Sequence, residues 1–320
     1  METTADTRLE PPARAISLIY HSGALGDFVT TIPAIACWRR LYPRDRIVFL
    51  TRRAHGDLLL KAGLVDTAWD LDESRFARLF AGDGSALASL RPERALLFTR
   101  PDSPLVEALH SAGCRRTTVQ EPFPSVPRAI VPYHLSLFTD PPPATDLFRP
   151  LRTLGLSGET ASEVSTPESG ALVIHPGSGG RDKIWPRHRF ELVAGVLRQR
   201  GRRILWCLGP AERDYRPPPA DGVQREAALP ELCGILARAR CYLGNDSGVS
   251  HLAAACGCPC VVLFGPSDDR IWAPSGDAVE IVKPPGETAG TGGTEIRKIG
   301  LAQVLAAVDR VEQRAAGFPS

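Results

Sequence analysis

The sequence contains no long apolar run. Hydrophobic residues make up 43% of its 320 residues, yet no stretch approaches the roughly 18 consecutive apolar residues that a membrane-spanning helix needs. The first fifteen residues, METTADTRLEPPARA, also lack the apolar centre of a secretory signal peptide. We therefore expect a cytoplasmic protein. Attachment to a membrane surface stays open, because it requires no spanning segment.

An excess of one charge is also missing. Lys and Arg total 38 against 36 Asp and Glu, a net charge of +2, so we do not expect the basic surface of a nucleic-acid-binding protein. Lysine is scarce, with four residues against 34 arginines, and each lysine is therefore worth inspecting. Eight cysteines are present. Three of them, Cys256, Cys258 and Cys260, lack the paired spacing of a zinc site, and we expect reduced, buried thiols there.

Several well-known catalytic patterns are absent. No G-x-G-x-x-G occurs, which disfavours a nicotinamide dehydrogenase, and no G-K-[ST] follows the glycine-rich loops. The chain has no H-E-x-x-H, no EF-hand loop and no G-x-S-x-G elbow. One D-x-D triplet, residues 70–72, ends a short strand-like segment, and we interpret it as an exposed turn. We predict no metal site and no cofactor.

Strand-like apolar runs alternate with helix-like segments in two series. The first begins with AISLIYHS (15–22) and the second with ALVIHPGSGG (171–180). This alternation predicts βαβ units and parallel sheets. The segment between them is rich in Ser, Thr, Gly and Glu, which is typical of a linker. We predict two Rossmann-like α/β domains, 13–153 and 171–314, joined by a linker at 154–170 and facing a central cleft.

The first glycine-containing turn, in HSGALGDF, follows the leading strand of the first series. Gly23, Ala24, Leu25 and Gly26 form a sharp bend between strand and helix, and we expect this loop to line the cleft. Asp27 then has two interpretations. It could cap the following helix by accepting backbone N–H bonds, or it could be a carboxylate directed into the cleft as a general base.

A second glycine-rich loop, HPGSGGRDKIWP, follows the leading strand of the second series. Ser178, Gly179 and Gly180 would expose backbone N–H groups without Cβ obstruction, as anion-binding loops do. Lys183 would add a compact positive charge directed at a phosphate. The alternative is a tight surface turn with a solvated lysine.

Two further strand ends in the second series carry polar residues. Glu212 follows RILWCLG and could accept hydrogen bonds from ribose hydroxyls, or could be a surface residue of a first helical turn. In CYLGNDSGVSHLAAA, Ser247 and Gly248 begin a helix whose free N–H groups suit a diphosphate. Asp246 would repel that anion and suits sugar hydroxyls. His251 could neutralise phosphate charge or could be a packed core histidine.

The motifs GALGDFVTTIPAI, IHPGSGGRDKIWP and NDSGVSHLAAACGCPCVVLFGPSDDRIWAP together resemble the ADP-heptose:lipopolysaccharide heptosyltransferase family, glycosyltransferase family 9. They occur in the family's order over residues 23–274. The third motif is the most specific, with a D-[ST]-G-x-x-H-L-A core and an LFGP-x₅-W-x-P tail. The resemblance implies a GT-B fold, with the acceptor on the first domain and the nucleotide-sugar on the second.

The resemblance also implies an inverting, metal-independent transfer. It makes Asp27 the catalytic base and Lys183 a phosphate ligand. It assigns the ribose to Glu212, the donor heptose to Asp246, and the diphosphate to the amides of residues 247–248. Some members carry a Thr pair where this chain has Ser-Gly-Gly in the phosphate loop, which leaves the hydroxyl contacts open.

From these observations we predict a transferase that moves heptose from ADP-L-glycero-D-manno-heptose to a lipopolysaccharide core or lipid-linked acceptor. We expect it in the cytoplasm, with contact at the inner membrane left open, and with no nucleic-acid partner. Two alternatives remain. One is a GT-B transferase that uses another nucleotide-sugar or another acceptor, and the other is a non-catalytic nucleotide-sugar-binding protein.

Overall fold

The computed structural model describes residues 14–157, 170–286 and 295–316. The first part of the chain forms a parallel five-stranded sheet in the order β3-β2-β1-β4-β5. Its strands are β1 (Ile16–Tyr20), β2 (Arg46–Thr51), β3 (Thr67–Asp70), β4 (Arg94–Phe98) and β5 (Arg116–Gln120). The three central strands are apolar and almost wholly buried, as expected for a parallel sheet covered on both faces.

Helices cover both faces of this first sheet. They are α1 (Leu25–Leu41), α2 (Arg53–Lys61), α3 (Pro104–Ser111), α4 (Ile130–Leu135), α5 (Ala144–Leu147) and α6 (Arg149–Leu156). Alternate strand residues point to opposite faces: Ile19 packs in the same core as Phe28 of α1, whereas Leu18 packs with Leu105 of α3. The α-helices therefore lie on either side of a doubly wound sheet.

The second part of the chain forms a parallel six-stranded sheet in the order β11-β10-β9-β6-β7-β8. Its strands are β6 (Leu172–His175), β7 (Ile204–Leu208), β8 (Gly222–Arg225), β9 (Cys241–Asn245), β10 (Cys260–Leu263) and β11 (Val279–Val282). The accompanying helices are α7 (Arg187–Gln199), α8 (Leu229–Ala237), α9 (Gly248–Ala255), α10 (Asp269–Trp272) and α11 (Leu301–Ala316).

The two sheets meet through packed helices. Helix α1 of the first domain lies against α9 of the second, and one apolar core contains both Phe28 and Leu252. Helix α6 packs on α8 so closely that a Cβ at Gly155 would lie 2.7 Å from the Ala237 Cβ. The carboxyl ends of β1 and β9, where α1 and α9 begin, consequently face the same cleft.

This architecture confirms the predicted pair of Rossmann-like α/β domains. The predicted domain limits stay a prediction: the linker proposed at 154–170 starts inside α6, and residues 158–169 lie outside the described residues. Residue 13, the predicted first residue of the first domain, also lies outside them.

Three strands were not anticipated from the sequence. They are β5, β8 and β11, all at sheet edges, where polar and half-exposed residues hide the apolar pattern of a buried strand. The segment before β4 forms two short 3₁₀ helices, Ser74–Ala81 and Gly84–Leu87. All eight cysteines are buried free thiols, as predicted. No helix in the described part of the chain is both long and apolar enough to cross a membrane.

Candidate active site

The loop of the first glycine motif directs Asp27 into the cleft. Helix α1 begins at Leu25 with Ala24 as its N-cap, and Asp27 lies inside the first turn. Burial raises the pKa of its half-buried carboxyl group, while the Ala24 backbone N–H and Lys183 oppose this rise and Asp246 adds to it. The interaction with the Ala24 N–H agrees with the helix-cap interpretation, and the role as a general base stays a prediction. Charges that belong to the second domain thus influence the protonation of Asp27.

The second glycine motif forms a loop that is fastened to the start of α9. The Asn245 side chain does this from the end of β9: its Oδ1 accepts from the Trp185 N–H at 3.0 Å and its Nδ2 donates to the Pro176 carbonyl at 2.8 Å. The Ser178 hydroxyl donates to the Asp246 carbonyl at 2.7 Å. Gly179 is exposed at the tip of the loop, with open space around the position that a Cβ would take.

Gly180 precedes the short 3₁₀ turn Arg181–Lys183. The ammonium group of Lys183 lies 2.9 Å from Oδ2 of Asp246. Lys183 is thus held at the cleft by a carboxylate, and the interpretation as a freely solvated lysine in a surface turn is wrong.

Asp246 is held in place by groups from two other segments of the second domain. Its side chain is 7% exposed, and its Oδ2 accepts hydrogen bonds from Lys183 and from the Ser267 hydroxyl at 2.6 Å. Two donors on one oxygen hold the carboxylate in a fixed orientation, and within the described part of the chain they leave Oδ1 without a bond of this kind. Ser267 follows β10 and was not anticipated from the sequence, because its partner is 21 residues away.

The N-terminus of α9 lies directly against the first domain. Ser247 is its N-cap, and its hydroxyl accepts from the Ser250 N–H at 3.4 Å. A Cβ at Gly248 would lie 2.8 Å from the Gly26 nitrogen and 2.8 Å from the Leu25 Cβ, so only glycine fits at this contact. The first turns of α1 and α9 therefore meet, and the positive ends of both helix dipoles point into one small region.

Two predicted donor residues are more deeply buried than the sequence indicated. The first is His251, which is buried in the first turns of α9. Burial lowers its pKa to about 4, a change that Asp246 opposes and Lys183 reinforces. This burial favours the interpretation of His251 as a packed core histidine, and a contact with phosphate stays a prediction. The imidazole ring retains N–H donor capacity.

Glu212 is also buried, in the 3₁₀ turn Pro210–Glu212, where its Oε2 accepts from the Gly209 N–H at 3.1 Å. The alternative interpretation as a surface glutamate is therefore wrong. A Cβ at Gly177 would lie 2.4 Å from the other carboxylate oxygen, so Glu212 lies directly beneath the phosphate loop. A contact with ribose stays a prediction.

A cavity of about 390 Å³ adjoins these residues. It is mostly apolar. One wall is formed by Leu25 and Val249, at the starts of α1 and α9, and the other by the ends of β7 and β8. Glu226, on its wall, has a φ of +49°. Such strained backbone at a non-glycine residue is concentrated at functional sites. A larger cavity of about 680 Å³ is lined by Ala36, Arg39 and Arg40 near the far end of α1, roughly 17–23 Å along the helix from Leu25, and takes no part in the cleft.

The model of glycosyltransferase family 9 (heptosyltransferase) matches residues 152–291. This match covers most of the second domain, so that part of the chain is similar to glycosyltransferase family 9. All predicted donor-binding residues of the second domain fall within this family 9 match, whereas Asp27 lies outside it.

Several similar proteins and solved structures are named as heptosyltransferases. Lipopolysaccharide heptosyltransferase 3 of Escherichia coli is 29% identical over 113 residues, which is 32% of this chain and 33% of that protein. The match therefore spans about one third of this curated relative. The structure of the Escherichia coli ADP-heptose lipopolysaccharide heptosyltransferase II has a TM-score of 0.73 at 19% identity and covers 95% of this chain and 100% of its own.

The structure of Escherichia coli heptosyltransferase WaaC with ADP has a TM-score of 0.70 at 15% identity, covering 92% of this chain and 99% of that one. At these identities, the likeness shows the fold. The chain has the GT-B arrangement of two Rossmann-like domains around a cleft.

Proposed function

We propose that this chain is a glycosyltransferase that moves heptose from ADP-L-glycero-D-manno-heptose to a saccharide acceptor of the lipopolysaccharide core or a lipid-linked form of it. The observation that carries the proposal is the convergence of three charged side chains from two domains. Asp27 of the first domain faces the Lys183–Asp246 pair of the second across the cleft. The names of the similar proteins suggest heptose as the sugar.

In the proposed reaction, Asp27 acts as the general base. It removes the proton from an acceptor hydroxyl as that oxygen attacks the anomeric carbon of the donor sugar. The new C–O bond forms on one face while the bond to the diphosphate breaks on the other, so the configuration inverts and ADP leaves. Burial favours this role, because a carboxylate with a raised pKa is a stronger base than an exposed one.

The leaving diphosphate needs positive charge. In this proposal Lys183 and the N-terminus of α9 supply it without a metal ion. The backbone N–H groups of Ser178, Gly179 and Gly180, in the loop just before Lys183, would complete the cradle. Asp246, with Oδ2 held by Lys183 and Ser267, would use Oδ1 to accept hydrogen bonds from donor sugar hydroxyls.

The nucleoside fits the 390 Å³ cavity between the domains. Its apolar walls suit a purine ring, and small-molecule sites have volumes of about 300–1,000 Å³. Gln224 and Glu226 offer polar groups on the wall, and Glu212 beneath the phosphate loop is the proposed ribose acceptor. Because Leu25 of the first domain lines the same cavity, nucleoside binding would hold the two domains together.

The acceptor would bind the first domain, beside Asp27. We place the reaction in the cytoplasm, and a lipid-linked acceptor would bring the enzyme to the cytoplasmic face of the inner membrane. Neither location requires a spanning helix.

The test is transfer by the purified protein with a panel of nucleotide-sugars and heptose-free core oligosaccharides. Mass spectrometry should detect one added heptose with ADP-heptose and at least about tenfold less product with UDP- or GDP-sugars, a discrimination that a hydrogen-bonding site readily reaches. Product with another donor would favour the transferase alternative. Tight ADP-heptose binding with no product from any acceptor would favour a binding protein and refute the proposal.

A further inference from the structure

Two aromatic side chains meet across the cleft. Phe123 belongs to the first domain and lies between β5 and α4, and Trp272 is the last residue of α10 in the second domain. Their ring centroids are 5.6 Å apart and their planes are inclined by 72°. This is the edge-to-face geometry that aromatic pairs prefer. Phe123 is exposed, whereas Trp272 is partly buried against the core that the two domains share.

The pair lies on the opposite side of the reacting residues from the nucleoside cavity. In the second sheet the order is β11-β10-β9-β6-β7-β8. The cavity is at the ends of β7 and β8, Lys183 and Asp246 follow β6 and β9, and Trp272 follows β10. Along the cleft, the donor therefore extends from its nucleobase at the cavity to its sugar near the aromatic pair.

Both rings are carried on supports that limit their movement. The segment 121–129 contains Pro122, Pro124 and Pro127, each of which fixes its own φ. On the other side, the Lys283 ammonium binds Asp269 at 2.9 Å and ties the start of α10 to the end of β11.

A short segment also links Trp272 to the proposed donor site. Ser267, two residues before α10, binds the Asp246 carboxylate. Trp272 is the last residue of that same helix. The aromatic ring and the carboxylate proposed to hold the donor sugar are thus positioned by one stretch of chain, residues 267–272.

The exposure of Phe123 requires an explanation. Its side chain is 51% exposed although it stands beside a cleft and on a proline-rich segment. An apolar ring held rigidly in solvent beside a site of polar groups is the arrangement found in ligand-binding pockets, where aromatic walls receive the ligand and a few polar groups orient it.

We propose that Phe123 and Trp272 form an acceptor subsite that receives a sugar ring through its apolar C–H face. This inference rests on the proposed function. It adds the place where the acceptor binds and the type of contact that holds it. Sugar C–H bonds carry partial positive charge and match the negative face of an aromatic ring. A sugar on these rings lies next to the anomeric end of the donor, and its hydroxyl can reach Asp27. Because the two rings offer apolar surface, they favour binding of a saccharide acceptor over water at this position.

The test uses the full-length protein and the variants Phe123→Ala, Phe123→Leu and Trp272→Phe. Heptose-free lipopolysaccharide core oligosaccharide is the acceptor. We expect the acceptor KM to rise about tenfold for Phe123→Ala, with the donor KM and the ADP affinity changed less than about twofold because the nucleoside cavity is untouched. Trp272→Phe should retain most of the acceptor affinity, because a ring face remains, and Phe123→Leu should lose most of it.

Phe80→Ala is the matched control. Phe80 is 41% exposed and lies in the 3₁₀ helix Ser74–Ala81, where its ring centroid is 6.1 Å from that of Tyr20. Its replacement removes a ring of the same size and similar exposure from a position outside the proposed subsite. The acceptor KM of Phe80→Ala should equal that of the wild type.

Three outcomes overturn the subsite: an unchanged acceptor KM in Phe123→Ala, an equal loss in Phe80→Ala, or a loss of ADP affinity that matches the loss of acceptor affinity. If the wild type shows no transfer with any donor, the proposed function fails. Direct binding of the same oligosaccharide in the presence of ADP then decides about the subsite. Weaker binding by Phe123→Ala than by the wild type supports it, and equal binding or no binding by the wild type contradicts it.

Discussion

Replacing His55 by phenylalanine should make the protein more resistant to acid. His55 lies buried in the first domain, stacked on Phe28 with ring centroids 4.1 Å apart and planes inclined by 6°. Burial lowers its pKa to about 4, and the nearby Arg52 adds to this effect. Its Nδ1 has no hydrogen-bond partner within the described part of the chain. Phenylalanine keeps the stacked ring and removes the unpaired nitrogen.

The magnitude follows from the difference between the folded and unfolded pKa. The folded protein holds His55 neutral, whereas the unfolded chain binds a proton near pH 6.5, so the free energy of unfolding falls as the pH drops from about 6.5 toward 4. At pH 5 the unfolded chain is stabilised by about 2 kcal/mol through this one group. His55→Phe removes that penalty. At pH 7 the variant should be equally stable or more stable, because an unpaired buried polar atom is costly.

Guanidinium unfolding at pH 7 and pH 5 measures the effect. The loss of unfolding free energy between the two pH values should be smaller by about 2 kcal/mol in His55→Phe than in the wild type. His110 is exposed on α3, and His110→Phe is the control whose pH dependence should match the wild type. An unchanged pH dependence in His55→Phe would refute the reasoning that burial keeps this ring neutral.

Two further predictions concern contacts that hold the cleft together. Gly248→Ala places a methyl group 2.8 Å from the Gly26 nitrogen, so the first turns of α1 and α9 must separate. We expect at least about a tenfold loss of transfer, while Gly195→Ala on α7, which has open space around it, should lose little. Ser267→Ala removes one of two donors to Asp246 Oδ2. A hydrogen bond of this kind is worth about 1–3 kcal/mol, so the donor KM should rise at least about fivefold with ADP affinity unchanged. An unaltered donor KM would show that the orientation of Asp246 does not depend on Ser267.

The sequence predicted the fold well because each motif stands where a buried strand is followed by a helix. The apolar runs of β1 and β6 and the glycines that follow them identify both domain starts. Those same junctions bring Asp27, Lys183 and Asp246 to one cleft, since the carboxyl ends of parallel strands lie along one edge of a sheet. The local pattern was therefore sufficient for the charged residues.

What the sequence did not predict depends on contacts between distant segments. Ser267 carries no local signal, because its role is set by Asp246 on another strand. The Phe123–Trp272 contact joins residues from different domains. The charge state of His251 follows from its burial, which no short-range pattern reveals.

The most direct test of the central claim is Asp27→Asn, assayed for transfer, ADP affinity and stability together. We expect heptose transfer to fall by at least a factor of about 100, the scale of a lost general base, with ADP affinity within about twofold of wild type. Because burial raises the folded pKa of Asp27, the charged carboxylate costs stability at pH 7, and this cost disappears below the unfolded pKa. The neutral amide should therefore leave the protein as stable as the wild type or more so. An Asp27→Asn enzyme that transfers heptose at the wild-type rate would contradict the account.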